Sequence, residues 1–154
     1  MKHTTIAKAF TLAAVAAVAL AVTPSATAQG LGCSNATLRG TFALKGAGFI
    51  ISPAVVAGPT ADVNPLYFDG IGTVTAASGS MSQNGTIVPV TESGTYKVNP
   101  DCTGTYEVLI SPVGFTAHYF FVIDNNGGEL QVICTDSGVV FSGSAQKIFP
   151  GIAI

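Results

Sequence analysis

Charged residues are scarce in this sequence. Lys, Arg, Asp and Glu together make up 9% of the 154 residues, and the formal net charge is −2. No cluster of basic side chains is available to neutralise a row of phosphates, which argues against nucleic acid and an anionic membrane surface as partners. Polarity comes mainly from Ser, Thr, Asn and Gly, as is common in secreted β-proteins.

Groups for catalysis and metal binding are equally few. Apart from His3, the chain has a single histidine, His118, and it has no Cys-x-x-Cys or His-x-His spacing for a metal site. It has no Gly-x-Ser-x-Gly elbow for a nucleophilic serine. No glycine pair is followed by the helix and lysine of a phosphate-binding loop. We therefore assign no catalytic residue, no metal and no cofactor.

The acidic residues have no spacing that marks a catalytic pair. Asp69, Asp101, Asp124 and Asp136 each fall in a turn sequence, where an Asp side chain accepts hydrogen bonds from its own backbone. Glu107 lies in the middle of a predicted strand, and we expect it on a solvated face. The acids are therefore interpreted as isolated from one another.

Residues 1–28 have the three parts of a cleavable secretory signal peptide. Lys2 and Lys8 give a basic start, residues 9–22 form an apolar run, and residues 26–28 (Ala-Thr-Ala) offer a small-x-small cleavage site. The apolar run has about 14 residues, whereas a bilayer span needs roughly 20. We therefore expect a secreted or extracytoplasmic protein, in the periplasm or outside the cell.

Two alternatives to simple cleavage stay open. One is an uncleaved membrane anchor, and the other is a lipoprotein attached through Cys33, although Leu31 is one position too close to that cysteine. Cleavage after Ala28 would leave residues 29–154 as a single domain of 126 residues with a net charge of −4, because two lysines are removed. No later run is long and apolar enough to form a transmembrane segment.

Several short segments alternate between apolar and polar residues. In residues 38–45, Phe42 and Leu44 share one face while Thr41 and Lys45 share the other, a period of two that predicts a half-buried strand. The same pattern occurs in residues 105–110, 129–135 and 139–145. Residues 115–123 are largely apolar on both faces, which predicts the most deeply buried strand.

Turn sequences separate these segments. Asp-Gly, Asn-Gly and Asn-Pro-Asp recur about every 10–15 residues after Phe68. Connections this short join antiparallel neighbours, so the sequence predicts an all-β, up-and-down meander of roughly eight strands closing into a barrel, with a β-sandwich as the alternative. Residues 52–65 hold three prolines and predict a long loop or irregular edge strand. The apolar tail, residues 149–154, either packs on the barrel or frays.

Several motifs together resemble a known family. The most specific is residues 94–105, GTYKVNPDCTGT. It is accompanied by residues 33–40 (CSNATLRG), 68–72 (FDGIG), 121–124 (FVID) and 135–138 (TDSG). Over nearly the whole mature chain the sequence resembles a family of small uncharacterised secreted bacterial proteins. More loosely it resembles the lipocalin-like barrel of allene oxide cyclases and dirigent proteins. The resemblance implies export and a barrel, and it brings no established activity.

Three cysteines lie in the exported part, where an oxidising compartment favours one disulfide and one remaining thiol. The spacing alone leaves all three pairings open. The family resemblance implies Cys33–Cys102, because these two belong to the recognised motifs. Cys134 then stays free. It shares an apolar face with Leu130 and Val132, which favours an inert buried thiol over a reactive or intermolecular one.

Three side chains combine an apolar body with a polar tip and are the predicted ligand-binding residues: His118, Tyr119 and Tyr96. For His118, a packed or hydrogen-bonded barrel histidine is the alternative to a ligand donor or general base in the lumen. Three classes of function follow: a barrel that binds a small apolar molecule, a structural or surface protein of the cell envelope, and a cyclase- or isomerase-type enzyme. The shortage of His and of paired carboxylates disfavours the enzyme. The oligomeric state cannot be predicted.

Overall fold

Eight antiparallel strands form a closed barrel in the computed structural model, which describes residues 32–149. Every strand pairs with its neighbour in sequence, and the first pairs with the last. The predicted meander barrel is therefore confirmed, and the sandwich alternative is wrong. The strands are β1 (Gly40–Ile50), β2 (Gly58–Phe68), β3 (Thr73–Gln83), β4 (Thr86–Val98), β5 (Thr103–Ser111), β6 (Phe115–Asp124), β7 (Glu129–Cys134) and β8 (Val139–Phe149).

Three short 3₁₀ turns are the only helical elements of residues 32–149: Asn35–Leu38, Ala54–Val56 and Asn125–Gly127. None of them has the length and hydropathy that a membrane-spanning helix requires. The predicted signal peptide, residues 1–28, lies outside the described residues, as do residues 150–154 of the apolar tail.

Side chains alternate between the lumen and the outer surface, because successive residues of a strand point to opposite faces. The strand β6 shows this alternation from Ala117 onward. Tyr119 and Phe121 are buried, whereas Phe120 and Val122 are 38% and 42% exposed. The prediction that residues 115–123 form the most deeply buried strand is therefore wrong. Barrel closure gives every strand one outer face, so an apolar residue on the outward parity remains on the surface.

The proline-rich stretch, residues 52–65, is also more regular than predicted. It contains the 3₁₀ turn Ala54–Val56 and most of strand β2, which pairs with β1 along its whole length. Pro65 lies where the register between β2 and β3 shifts, between Val63 and Tyr67. A proline lacks an N–H for the ladder, and a break in pairing is where a sheet tolerates it. The barrel thus incorporates residues 58–65 as part of a strand that is paired on both sides, while residues 52–57 form the connection from β1.

One end of the barrel is closed by the N-terminal segment. The Asn35 side chain donates to the Ile71 carbonyl at 2.6 Å and accepts from the Val98 amide at 2.8 Å, and the buried Leu38 follows it into the lumen. The predicted disulfide between Cys33 and Cys102 is confirmed, with the two Cα atoms 5.0 Å apart. It fixes this segment to the turn between β4 and β5. We call this the closed end.

Aromatic rings fill the lumen next to the closed end. Phe68 packs edge-to-face against Phe42 and Tyr96, with ring centroids 5.4 and 5.0 Å apart, and Tyr106 stacks on Tyr119 at 4.5 Å. Contacts of these kinds add stability beyond the area they bury. These rings pack against one another in the half of the lumen next to the closed end.

Candidate functional site

The opposite end of the barrel holds a cavity of about 350 Å³, which we call the mouth cavity. Its wall is mainly apolar and includes Ile50, Met81, Ile110, Ala117, Val139 and Phe141. Part of its rim comes from the 3₁₀ turn that connects β1 to β2, and another part from the turn that connects β5 to β6. An apolar concavity of this size with a few polar groups is the usual form of a small-molecule site.

A carboxyl group lies in the wall of this apolar cavity. Asp62 projects inward from β2, is 9% exposed, and is the one acidic residue among the described residues that line the cavity. Deeper in the lumen lies a second carboxyl, Glu92 of β4, which is 6% exposed. Asn64 lies between them: its Nδ2 donates to Glu92 Oε1 at 2.7 Å and to Asp62 Oδ2 at 3.4 Å. We call Asp62 and Glu92 the carboxyl pair and Asn64 its bridge.

The expectation that the acids are isolated is thus wrong for Asp62 and Glu92. The prediction of a long loop or irregular edge strand over residues 52–65 gives Asp62 and Asn64 no defined face, so this relationship could not be recognised from the sequence. Once that stretch is a strand, Asp62 and Asn64 have the same parity as Leu66 and Phe68, which point into the lumen. Glu92 likewise shares its face of β4 with Val90 and Tyr96. A polar residue on the apolar face of a strand was the signal available in the sequence.

Burial dominates the electrostatics of the pair. It raises the pKa of Asp62 to about 7. Burial and, to a smaller extent, the nearby charge of Asp62 raise the pKa of Glu92 to about 7 as well. The ionised forms are disfavoured because a carboxylate loses its hydration in the lumen and faces a like charge. At neutral pH the two groups together are therefore only partly ionised.

Space for the bridge is provided by a glycine. A Cβ atom at Gly79 of β3 would overlap Oδ1 of Asn64. Gly79 lies beside the interruption in pairing between β3 and β4, where the register shifts between Ala76 and Gly79. The absent side chain at this position therefore lets the Asn64 carboxamide reach between the two carboxyl groups.

Four buried polar atoms have no hydrogen-bond partner within residues 32–149. They are Oδ1 of Asp62, Oδ1 of Asn64, Oε1 of Gln83 and the hydroxyl of Tyr106. Asp62 and Gln83 both line the mouth cavity. Buried polar groups are nearly always satisfied in folded proteins, so a cluster of unsatisfied ones next to a cavity requires an explanation.

The predicted ligand residues do not come together. Tyr119 points inward and lines the mouth cavity, whereas Tyr96 lies at the closed end, where its hydroxyl donates to the Asn35 carbonyl at 3.0 Å. His118 points outward, and its side chain is 50% exposed. Of the three, only Tyr119 is therefore placed to touch a molecule in the mouth cavity.

His118 belongs to an acidic cluster on the outer wall. Its Nδ1 lies 2.8 Å from Asp136 Oδ1 and its Nε2 lies 3.7 Å from Glu107 Oε2. The His118 amide also donates to Asp136 Oδ2 at 2.8 Å. Partial burial alone would raise the pKa of Asp136, but hydrogen bonds from the His118 amide and ring lower it. Asp136 thereby ties the β7–β8 turn to β6.

Cys134 is free and buried, and its side chain lines the mouth cavity. Its Sγ lies 3.5 Å from Asp136 Oδ2, and burial is the first cause that raises the pKa of the thiol. A thiol that resists ionisation is a poor nucleophile. This environment accords with the inert thiol favoured by the sequence.

Asp69, Asp101 and Asp124 accept from the backbone of their own turns, as predicted. The prediction is wrong for Asp136, whose carboxylate accepts from the His118 amide on β6 instead. Asp69 Oδ1 accepts from the amides of Ile71, Gly72 and Thr73 at 2.7–2.9 Å, and these bonds lower its pKa. Asp101 accepts from Thr103. Within residues 32–149, no group of three or more His, Cys, Asp or Glu side chains is arranged to hold a metal ion.

No protein-family model, no curated protein and no solved structure matches the chain.

Proposed function

We propose that this chain is an exported barrel protein that holds a small, mostly apolar molecule in the mouth cavity. The observation that carries the proposal is the cavity itself: about 350 Å³ with mainly apolar walls, at one end of the barrel, with the stacked rings of Tyr106 and Tyr119 beneath it. Small-molecule sites have volumes of roughly 300–1,000 Å³ and a few polar groups that orient the ligand. Asp62, Gln83 and Tyr119 supply such groups.

Export is the second part of the proposal. It is supported by the signal-like pattern of residues 1–28 and by the family resemblance, and the Cys33–Cys102 disulfide is compatible with an oxidising compartment. Protein from the extracytoplasmic fraction should begin near Gln29, which mass spectrometry of the intact chain would measure. A chain that still begins at Met1 would contradict cleavage.

Ligand binding is tested with a matched pair of substitutions on β6. Ala117 points into the mouth cavity and is 2% exposed, whereas Thr116 is exposed on the outer wall. We would screen the purified protein against a graded panel of apolar molecules by thermal shift and confirm each binder by calorimetry. A ligand that binds only the native state raises the melting temperature.

We expect binders whose affinity is lost in Ala117→Phe and retained in Thr116→Phe. The smaller change Ala117→Leu provides a second variant if the phenylalanine prevents folding, and it should weaken the larger binders first. The proposal would be overturned if no molecule of the panel bound, or if the affinity were the same in the wild type and in the Ala117 variants. Either result would favour a structural protein of the cell envelope.

An isomerase- or cyclase-type enzyme is the second candidate, and the carboxyl pair favours it. A neutral acid and an ionised partner in one apolar site can act as general acid and base. If binders were recovered in a rearranged form, and Glu92→Gln abolished the conversion while binding persisted, the enzyme would replace the binding protein. Unchanged ligands would exclude that conversion.

A further inference from the structure

We propose that the molecule held in the mouth cavity is an apolar amine, whose ammonium group ion-pairs with the carboxyl pair of Asp62 and Glu92. This inference rests on the proposed binding function and specifies the ligand class. The apolar part would occupy the space between Ile110, Ala117 and Phe141, with the nitrogen directed toward Asp62.

The first support for an amine comes from the buried polar atoms that have no hydrogen-bond partner within residues 32–149. Two of the four unpartnered buried atoms, Oδ1 of Asp62 and Oε1 of Gln83, are carboxyl and amide oxygens of residues that line the mouth cavity. An amide oxygen can only accept, and so can an ionised carboxylate. A ligand that satisfies them has to donate. An ammonium group offers three N–H donors, while a hydroxyl offers one and a carboxylate none.

The charges of the lumen are the second support. No basic side chain within residues 32–149 forms an ion pair with Asp62 or Glu92. Arg39, Lys45 and Lys97 are exposed. Lys147 has its Nζ over the ring of Phe42, 5.4 Å from the centroid, in the closed half of the barrel. Buried carboxylates normally form an ion pair with a cationic group, and Asp62 and Glu92 have no such partner within residues 32–149.

All other titratable groups that face the pair are acids. Tyr106 of β5 and Tyr119 of β6 feel the charges of Asp62 and Glu92, Cys134 of β7 feels the charge of Asp136, and burial raises the pKa of all three. None of them supplies a positive charge. An anionic ligand would therefore be repelled, whereas a cationic one would relieve the repulsion between the two carboxyl groups.

The affinity for an amine should depend on pH, because the two carboxyl groups are buried and their pKa values are raised. Both pKa values lie near 7, so the carboxyl groups are mostly neutral at pH 5 and mostly ionised at pH 8.5. An alkyl amine keeps its charge over this range. Affinity for the amine should thus increase from pH 5 to pH 8.5, while affinity for an uncharged analogue should not.

The test uses pairs of amines and alcohols of the same shape: benzylamine and benzyl alcohol, 2-phenylethylamine and 2-phenylethanol, and the naphthylethyl pair. Calorimetry at pH 8 would give the dissociation constants for the wild-type protein, Asp62→Asn and Glu92→Gln. Glu107→Gln, an exposed carboxyl on the outer wall, is the matched control. Circular dichroism would verify that each variant folds.

We expect at least one amine to bind tenfold or more tightly than its alcohol, with the difference lost in Asp62→Asn, reduced in Glu92→Gln and kept in Glu107→Gln. If amine and alcohol bind equally, the inference is wrong but the proposed binding function stands. If neither binds and the wider apolar panel also fails, the proposed function itself is wrong. Saturable binding of Ca²⁺ alone at the pair would overturn the amine in favour of a metal ion.

Discussion

Nδ2 of Asn64 lies 2.7 Å from Oε1 of Glu92, inside a lumen that is otherwise lined mainly by apolar side chains. The same nitrogen lies 3.4 Å from Oδ2 of Asp62, so one carboxamide holds two carboxyl groups from strands that are not neighbours in the sheet. A polar arrangement of this kind costs stability, because all three side chains lose hydration. Its presence beside a cavity is what one expects of a site rather than of a packed core.

The stability of the protein should fall as the pH rises from about 4 to 8. Asp62 and Glu92 have a higher pKa in the folded state than in the unfolded state, so the folded protein binds more protons in this range. The free energy of unfolding therefore decreases with pH. The pKa values rise from 3.8 and 4.5 to about 7, and one pKa unit corresponds to about 1.4 kcal/mol. We therefore expect a fall of several kcal/mol, up to about 8 kcal/mol if the two groups act independently, measured by urea denaturation.

Asp62→Asn combined with Glu92→Gln should flatten this profile, and Glu107→Gln should leave it unchanged. Below about pH 4 a separate loss is expected, because the lowered pKa of Asp69, Asp101 and Asp136 works in the opposite direction. A wild-type stability that rises between pH 4 and 8 would contradict the buried pair.

Gly79→Ala should destabilise the protein by displacing the bridge. The new methyl group would overlap Oδ1 of Asn64, and overpacking in a filled interior costs about 1–3 kcal/mol. Ser80→Ala, on the exposed side of the same strand, is the control and should have little effect. In a double-mutant cycle, Asn64→Ser should recover part of the loss. Additive effects of the two changes would show that Gly79 does not make room for Asn64.

The sequence predicted the barrel because its signals are local. Alternation in residues 38–45 and 105–110, and the short Asp-Gly and Asn-Gly turns between strands, act within a few residues and leave only sequential antiparallel pairing. The disulfide was also foreseen, through the motif that contains Cys102.

The mouth cavity and its carboxyl pair could not be predicted in the same way. Pro59 and Pro65 flank Asp62, and in the sequence alone they favour a loop or an irregular edge strand. The register shift that accommodates Pro65 is a property of the pairing with β3. Which face His118 points to depends on whether it lies at an inward or an outward position of the strand, and the three consecutive aromatic residues that follow it, residues 119–121, show no alternation from which this could be predicted. Contacts between β2 and β4 are set by barrel closure, which no local pattern encodes.

Removal of the disulfide should weaken the closed end. Cys33 and Cys102 are separated by 69 residues, and a cross-link over a loop of this length contributes about 2–4 kcal/mol by restricting the unfolded chain. The double variant Cys33→Ala, Cys102→Ala should lose that amount in urea denaturation. Reductant should destabilise the wild type and Cys134→Ala equally, and it should leave the double variant unaffected. Sensitivity to reductant that depends on Cys134 would point to a different pairing.

His118→Ala should leave ligand binding intact, because the imidazole lies on the outer wall and Tyr119 is the neighbour that lines the mouth cavity. The cost to stability should be small, about 0–1 kcal/mol, since half-exposed ion pairs contribute little and the His118 amide still donates to Asp136. Tyr119→Leu is the comparison and should change the affinity of cavity binders several-fold. Calorimetry with a binder from the apolar panel would measure both. If His118→Ala removed binding while the variant stayed folded, the ligand would lie in the groove of the outer wall beside Glu107, and the mouth cavity would not be the site.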